Sequence, residues 1–536
     1  MKKSLFPRLA LMAVVVALVS ACSEKKFEYT NVIPANASTV VSINMKSLVD
    51  KAGLNDKENK EAQQKLTDAM KSGMNAATFQ QVEMIMKDPK KSGIDVSAPL
   101  YVFNTETFPT TVIAKVSNED DLHALLETLE KEKVCQPLAS GDGFQFTQMG
   151  NQVFMAYTPS VLMLTNYKGT TQLEKIKQDI PALLKQTNEN SIVSTAVFKK
   201  MQKMGGDIDA MLSPASLIGP YANMIKESDM PFNMKDLKML GSLSFEKGKI
   251  SMKYENFTES PELQALFDKQ KKATCPIENT FLKYFPKSTL MYISAGINGE
   301  EFYNLLLENE QFQKNFSIAK ANEVKELFGT FQKDMAMGLI NFTMDNAPTF
   351  LMYASVKSAT PVQLLYEKKN ELGLKRGEDI LKLGENEYVY KSRMLNIFFG
   401  VRNNSLYATN DEMLYKSIDK TVNPSIKDTE FASNIKGKNG AFVINTEAVL
   451  ALPIVKMLSE YGGSQYATAF ALVDKIAYVE ATGNSNNDAD NGNHSSEANT
   501  SPSVCRPGCH HIRRVASRPC ATKRRALSDR SCFRHR

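Results

Sequence analysis

One strand-and-helix series that occurs twice in the same order constrains this chain more than any other feature. Ser38-Thr39-Val40-Val41-Ser42-Ile43 reads as a buried strand leading into a helical stretch at Met45–Ala52. Ser288-Thr289-Leu290-Met291-Tyr292-Ile293 repeats the strand and leads into 300–309, and Pro34 and Pro286 stand before the two. A long helical region follows in each case, 60–87 and 310–333. A strand at 109–116 is then answered by one at 348–356, and each feeds a helix. In the first of these, Leu122, Leu125, Leu126 and Leu129 form an i, i+3, i+4, i+7 stripe, and Ser117 with Asp120 suits a capping box. Strand signals at 144–147, 152–157 and 161–165 match those at 387–391, 396–401 and 405–409. The offsets of 250, 239 and 244 residues keep one order throughout.

The expected fold is therefore α+β, as two tandem homologous repeats. Each is a largely antiparallel sheet with helices packed on one face. The repeats are placed at 22–275 and 276–484, with the boundary in the stretch 269–279 around Cys275-Pro276. The first repeat closes with a strand at 242–246, a turn at Lys247-Gly248-Lys249 and a return strand on which Ile250, Met252 and Tyr254 alternate. In the second, 475–481 matches the outgoing strand and Gly483-Asn484 the turn, but the polar run from Ser485 holds no return strand. The last hairpin is then expected to leave an unpaired edge.

Composition changes at the same place. Residues 485–536 hold ten of the 65 Lys and Arg and four of the 59 Asp and Glu. The net charge of +6 thus belongs to the tail, and the body is neutral, with no net electrostatic case for nucleic acid. Only Arg8, Arg376, Arg393 and Arg402 precede residue 485, whereas nine arginines follow it, and Cys505, Cys509, Cys520 and Cys532 crowd the same end. Either the second repeat ends differently or the reading frame was lost near 485, giving a disordered tail, and the change of composition at the same place favours the second.

The N-terminus reads as an address. Lys2, Lys3 and Arg8 precede an apolar run at 9–19, too short to span a bilayer, which marks a secretory signal over residues 1–21. Val19-Ser20-Ala21-Cys22 resembles the lipobox of bacterial lipoproteins. That resemblance implies cleavage between Ala21 and Cys22 and acylation of Cys22. The membrane is then the partner, reached through several acyl chains that together hold it essentially permanently. Ser23 in place of Asp points to the outer membrane, with the periplasmic or surface face open. Taken with the lysine-rich, tryptophan-free body and the Ile33-Pro34…Ser38-Thr39-Val40 opening, the chain resembles a Bacteroidota lipoprotein family catalogued as domain of unknown function 4836. The resemblance implies an envelope lipoprotein of duplicated α+β fold and transfers no catalytic residue.

Little in the body argues for catalysis. His123 is its one histidine, beside the apolar stripe rather than on it, and reads as a solvated helix residue; a single histidine argues against Ser-His-Asp chemistry and multi-His zinc within each repeat. Ser317-Ile318-Ala319-Lys320 has the Ser-x-x-Lys spacing of serine acyl transferases without an accompanying Lys-Thr-Gly, a pattern common residues produce by chance. Met84-Ile85-Met86 and Met335-Ala336-Met337 offer thioethers for Cu(I), but Leu66, Met70 and Met74 at helical spacing read as core, and core is the expectation for all. Cys505, Cys509, His510 and His511 match no standard zinc finger. Cys135 and Cys275 are compatible with a bridge or with free thiols. No catalytic, metal or cofactor site is assigned, and Cys22 is the site residue. The leading expectation is a non-enzymatic, lipid-anchored envelope protein with a binding or interaction surface. The alternative is an envelope hydrolase acting on glycan or peptidoglycan through paired carboxylates. An exposed apolar patch favours the first. A cleft with two carboxylates about 5–10 Å apart favours the second.

Overall fold

The computed structural model describes residues 28–483 apart from 53–59, 61–63, 65–66, 69–70, 72–75, 151, 215–232, 309–320, 344–346 and 462–475. All of these belong to one unit that runs to Asn487. Ten strands come first: β1 (Thr39–Ile43), β2 (Leu100–Asn104), β3 (Thr111–Lys115), β4 (Ala139–Ser140), β5 (Gln145–Met149), β6 (Val153–Tyr157), β7 (Val161–Asn166), β8 (Ile208–Leu212), β9 (Lys238–Glu246) and β10 (Lys249–Phe257). Nine follow: β11 (Met291–Asn298), β12 (Phe331–Asn341), β13 (Thr349–Val356), β14 (Asp379–Gly384), β15 (Glu387–Lys391), β16 (Asn396–Arg402), β17 (Ser405–Thr409), β18 (Gly440–Asn445) and β19 (Tyr478–Gly483).

Their ladders join all nineteen into one sheet. From one edge inward the order is β4-β5-β6-β7-β3-β2-β1-β8-β9-β10. From the other edge it is β14-β15-β16-β17-β13-β12-β11-β18-β19. The two series meet where β10 pairs with β19, and that ladder alone is parallel. β19 therefore has a neighbour on each side. The unpaired edge expected of the last hairpin is absent, because β10 from the first series takes the position beside it. The edges of the described sheet are instead the two-residue β4 and β14, the latter bearing Asp379 and Lys382, features that discourage further pairing.

Among its α-helices are α1 (Met45–Ala52), α2 (Glu119–Lys131), α3 (Gly169–Leu184), α4 (Ala196–Gln202), α5 (Thr360–Glu367), α6 (Glu412–Lys416) and α7 (Phe431–Ile435). They lie on both faces of the sheet, not on one. β2 shows why: Tyr101 and Phe103 enter a core with Ile176 of α3 and Phe198 of α4, while Leu100 enters another with Leu122, Leu126 and Leu129 of α2. Strands that are apolar on both sides, such as the four successive buried residues of β6, need cover on both. In the second series Tyr292, Leu351, Tyr353 and Tyr407 pack with Phe431 of α7, and Tyr388 and Phe399 pack with Val362 of α5.

Several local expectations shift. Helix α2 buries its leucine stripe, but its N-cap is Asn118, whose side chain accepts from the amides of Asp120 and Asp121, so the capping box at Ser117 is not formed. The region read as helical to 333 becomes strand at Phe331, where β12 begins. The strands β2, β4, β8, β12, β14 and β18 lie where the sequence suggested none. The turn between β9 and β10 is as expected, with Gly248 at φ +74°, a left-handed position that glycine occupies without strain.

Candidate interaction surface

Across the middle of the sheet the two faces differ in chemistry. On the face carrying α3, α4 and α7, the inward residues Val40, Met211, Leu240, Tyr292, Ala336 and Val443 are buried. On the other face, ladder partners form rows running across the strands, because directly opposed residues share a side. One row reads Ile43, Ile208, Leu243, Met252, Ala481, Phe442, Ile293, Met337, Met352. It continues to Leu100 under α2 at one end and to Phe399 beneath α5 at the other. Between those helices the row is open: Met252 is 40%, Ile293 42% and Met337 44% exposed.

The rows on either side have the same character. Toward one end of the strands lie Phe245, Ile250, Val479, Ile444, Met291, Leu339 and Phe350. Toward the other end lie Ala210, Gly241, Tyr254, Gly483, Gly440, Ala295 and Met335. Small residues make this last row shallow on either side of Tyr254, which interrupts it. A Cβ added at Gly241 or Gly440 would meet nothing within 4 Å, whereas one at Gly483 would lie 2.6 Å from the Tyr254 ring, which is laid over it. No Asp, Glu, Lys, Arg or His stands in the three rows. From β1 to β13 there are eight inter-strand steps of about 4.8 Å, so the stripe is about 38 Å wide.

Asp209, Asp334 and Glu480 alternate onto the opposite side, and with Asp207 at the strand end they serve as fastenings. Asp207, before β8, accepts from Ser47 Oγ at 2.5 Å and Lys51 Nζ at 2.7 Å on α1, and from the Phe245 amide of β9 at 2.6 Å. Burial raises the Asp207 pKa, but the hydrogen bonds from Lys51, Ser47 and Phe245 outweigh it and hold the carboxyl below its ordinary value. Asp209 accepts from the Gly206 amide. Asp334 accepts from the amides of Glu278 at 2.8 Å and Thr280 at 2.7 Å. Glu480 accepts from Ser251 Oγ at 2.8 Å and from Asn434 Nδ2 of α7 at 3.1 Å. Each of these four buried carboxylates holds neighbouring backbone or side-chain donors in place.

The residues singled out from sequence fall as follows. Ala21, Cys22, Ser317, Lys320, Leu66, Met70, Met74 and the tail cysteines and histidines lie outside the described residues. His123 is more than a solvated helix residue: its Nδ1 lies 2.7 Å from the buried Tyr157 hydroxyl and its Nε2 3.4 Å from Glu127. Cys135 and Cys275 are free thiols, and burial raises both pKa values. Met84 and Met337, expected in the core, are exposed, as is Met252. Among the described residues no group of three His, Cys, Asp or Glu is placed to hold a metal. No described helix is long and apolar enough to cross a membrane. The open face escaped sequence reading, because apolar alternation on a strand does not say which side is covered.

Residues 29–498 match the sequence profile of the family described as Domain of unknown function (DUF4836), a match that reaches past the change of composition at 485. No curated protein matches the chain. Among solved structures, three crystal forms of TP0453 are similar to part of it. Form III has a TM-score of 0.27 at 8% identity, covering 48% of this chain and 91% of that one. Form I has 0.25 at 9%, covering 48% and 90%, and form IV 0.25 at 9%, covering 42% and 79%. Scores of this size carry no argument about fold.

Proposed function

Since this chain belongs to the DUF4836 family, whose description assigns no role, we propose that it is a lipid-anchored envelope protein acting as a non-enzymatic binding module. The apolar middle of its sheet is the surface that binds. One observation carries this: three adjacent rows of apolar side chains, with Met252, Ile293 and Met337 each at least 40% exposed, and no charge among them. An open apolar stripe of this breadth marks an interaction site. The hydrolase reading gains nothing from the buried carboxylates Asp207, Asp209, Asp334 and Glu480, which are engaged with structural donors.

The anchor rests on Lys2, Lys3 and Arg8, the apolar run at 9–19 and Cys22, with the outer membrane of a Bacteroidota-type envelope as its place. The two tandem repeats draw support from the identical pairing order of β1–β9 and β11–β19.

Two measurements test the proposal. Cys22→Ala releases the protein from the membrane fraction, and retention of that variant overturns the anchor. The unacylated protein from Cys22 onward enhances Nile red fluorescence, and the double variant I293E/M337E loses that enhancement while its far-ultraviolet circular dichroism is unchanged. A wild-type protein that leaves Nile red dark overturns the binding surface.

A further inference from the structure

One ladder of the described sheet is parallel, and it is also the ladder that joins the two series of strands. We propose that this seam between β10 and β19 is an acceptor site for an extended segment of a partner polypeptide, which enters between the two strands and runs antiparallel to both. The site is built from backbone groups. It therefore goes beyond the open-face reading and does not depend on what meets the apolar rows.

Polarity is the first argument. A strand entering between two antiparallel neighbours must run parallel to one of them, whereas between parallel neighbours it runs antiparallel to both. Antiparallel pairing is slightly the more stable per residue, and among the described ladders only β10–β19 offers it on both sides. Parting that ladder breaks six residue pairs, from Lys249–Tyr478 to Tyr254–Gly483, and leaves every ladder within the two series intact. Two ladders then replace one. The parted edges demand a row of N–H and C=O groups in return, which an extended peptide offers and a helix or a hydrocarbon does not.

The correspondence of the two series is the second. β9 and β19 hold the same place in the two pairing orders. β9 has an antiparallel hairpin partner, β10, on the side where β19 has no described partner from its own series. The place beside β19 is thus that of an antiparallel strand, and β10 closes it from the other series.

Side chains at the seam specify the segment. Ser251 and Glu480 are register partners on the helix-bearing face, and Glu480 is only 6% exposed. A strand between them takes Glu480 away from the Ser251 hydroxyl that now lies 2.8 Å from it, so the entering residue at that level has to donate in its place. Lysine does so and also matches the charge. The residues before and after it turn to the opposite face, beside Ile250 and Val479 on one side and Met252 and Ala481 on the other, and are apolar. One residue further out, level with Lys249 and Lys253, acidic residues complete the pattern.

The experiment adds the fluorescein-labelled peptide Thr-Thr-Glu-Val-Lys-Val-Glu-Thr-Thr to the unacylated protein from Cys22 onward and follows fluorescence anisotropy. The wild type is expected to bind it saturably. The same peptide with proline at both valines, which removes two ladder donors, should bind about tenfold or more weakly. Met252→Cys combined with Ala481→Cys places two thiols on register partners, within the usual span of a disulfide. Oxidised to a 252–481 bridge, verified by peptide mass mapping, this variant should lose the peptide, and reduction should restore binding. No saturable binding by the wild type, or equal binding by the oxidised and reduced double variant, overturns the proposal. Binding that appears only after residues 484–536 are deleted overturns it in favour of the chain's own end as occupant. Nile red enhancement reports on the open face alone, so the two readings fail separately.

Discussion

Glu387 on β15 faces Arg402 on β16, and the guanidinium grips both carboxylate oxygens while lying 5.5 Å from the Tyr407 ring and 5.6 Å from that of Tyr415. The Tyr415 hydroxyl of α6 donates to the same carboxylate at 3.0 Å. The Arg402 hydrogen bonds pull the Glu387 pKa below its ordinary value, burial opposes them, and the Tyr415 hydroxyl adds to the lowering. Glu387→Gln leaves a partly buried guanidinium without its charge partner and should cost about 2 kcal/mol at pH 7. Because the folded pKa is depressed, the wild-type contribution is complete above the unfolded value of about 4.3 and is lost as pH falls through the lower folded value. Urea midpoints of wild type and variant should therefore differ by a constant amount above pH 5 and converge in stronger acid. A gap that persists unchanged at pH 2 would show that the pair is not its source. The sequence held a hint of this cluster. The body meets its cationic needs with lysine, and Arg402 is one of four exceptions before residue 485. A planar fork against a carboxylate and two rings is work lysine does poorly. The partner fifteen residues away was not legible, since pairing across a hairpin depends on register that no local pattern reports.

At the scale of the element, the β9–β10 hairpin was readable in position and turn, but not in which of its two faces is covered. Ile250, Met252 and Tyr254 alternate as a core-facing set should, but they line the open side, while Ser251 between them is buried. Ser251 is buried because its hydroxyl has a carboxylate to meet, Glu480 on β19 at 2.8 Å. The period of a strand follows from local sequence. Which side is covered depends on strands more than two hundred residues away. This leads to an outcome opposite to that expected from hydrophobicity. Ser251→Ala deprives a buried carboxylate of a donor and should destabilise by about 1–2 kcal/mol. Met252→Thr, on an exposed position with good strand propensity, should change stability by no more than about 0.5 kcal/mol. Guanidinium titrations of the two variants decide it, and a larger loss for Met252→Thr would return that face to the core. The strand β12 escaped sequence reading for a related reason. Asp334 and Gly338 interrupt its buried side, and Gly338 is needed there because a Cβ would press to 2.7 Å against the Phe285 ring.

For the whole molecule, the offsets in the sequence raised the expectation of two repeats but said nothing of how their strands join. Under the repeat reading, β9 corresponds to β19, and the first series has a tenth strand for which the second shows no described counterpart. β10 lies against β19 in the position such a counterpart would take. A strand that would run antiparallel to β19 is thus replaced by one that runs parallel, the single parallel ladder of the sheet. Parallel pairing is slightly weaker per residue, and side chains reinforce it here. Ser251 is opposite Glu480 in register, Glu480 also accepts from Asn434, and Lys249 Nζ lies 3.7 Å from Glu480 and 3.2 Å from Glu246. Continuity of the sheet across this seam should make the two series unfold together. Glu480→Lys places a second cation beside Lys249 and removes the acceptor for Ser251 and Asn434, so the seam should part before either flank melts. Calorimetry of the variant should then show two transitions where the wild type shows one, with the lower shifted by several degrees, as about 1–2 kcal/mol implies for a flank of this size. Glu480→Gln keeps an acceptor for the same donors and should retain a single transition. If Glu480→Lys also melts in one step at the wild-type temperature, the coupling of the two series does not pass through β10 and β19.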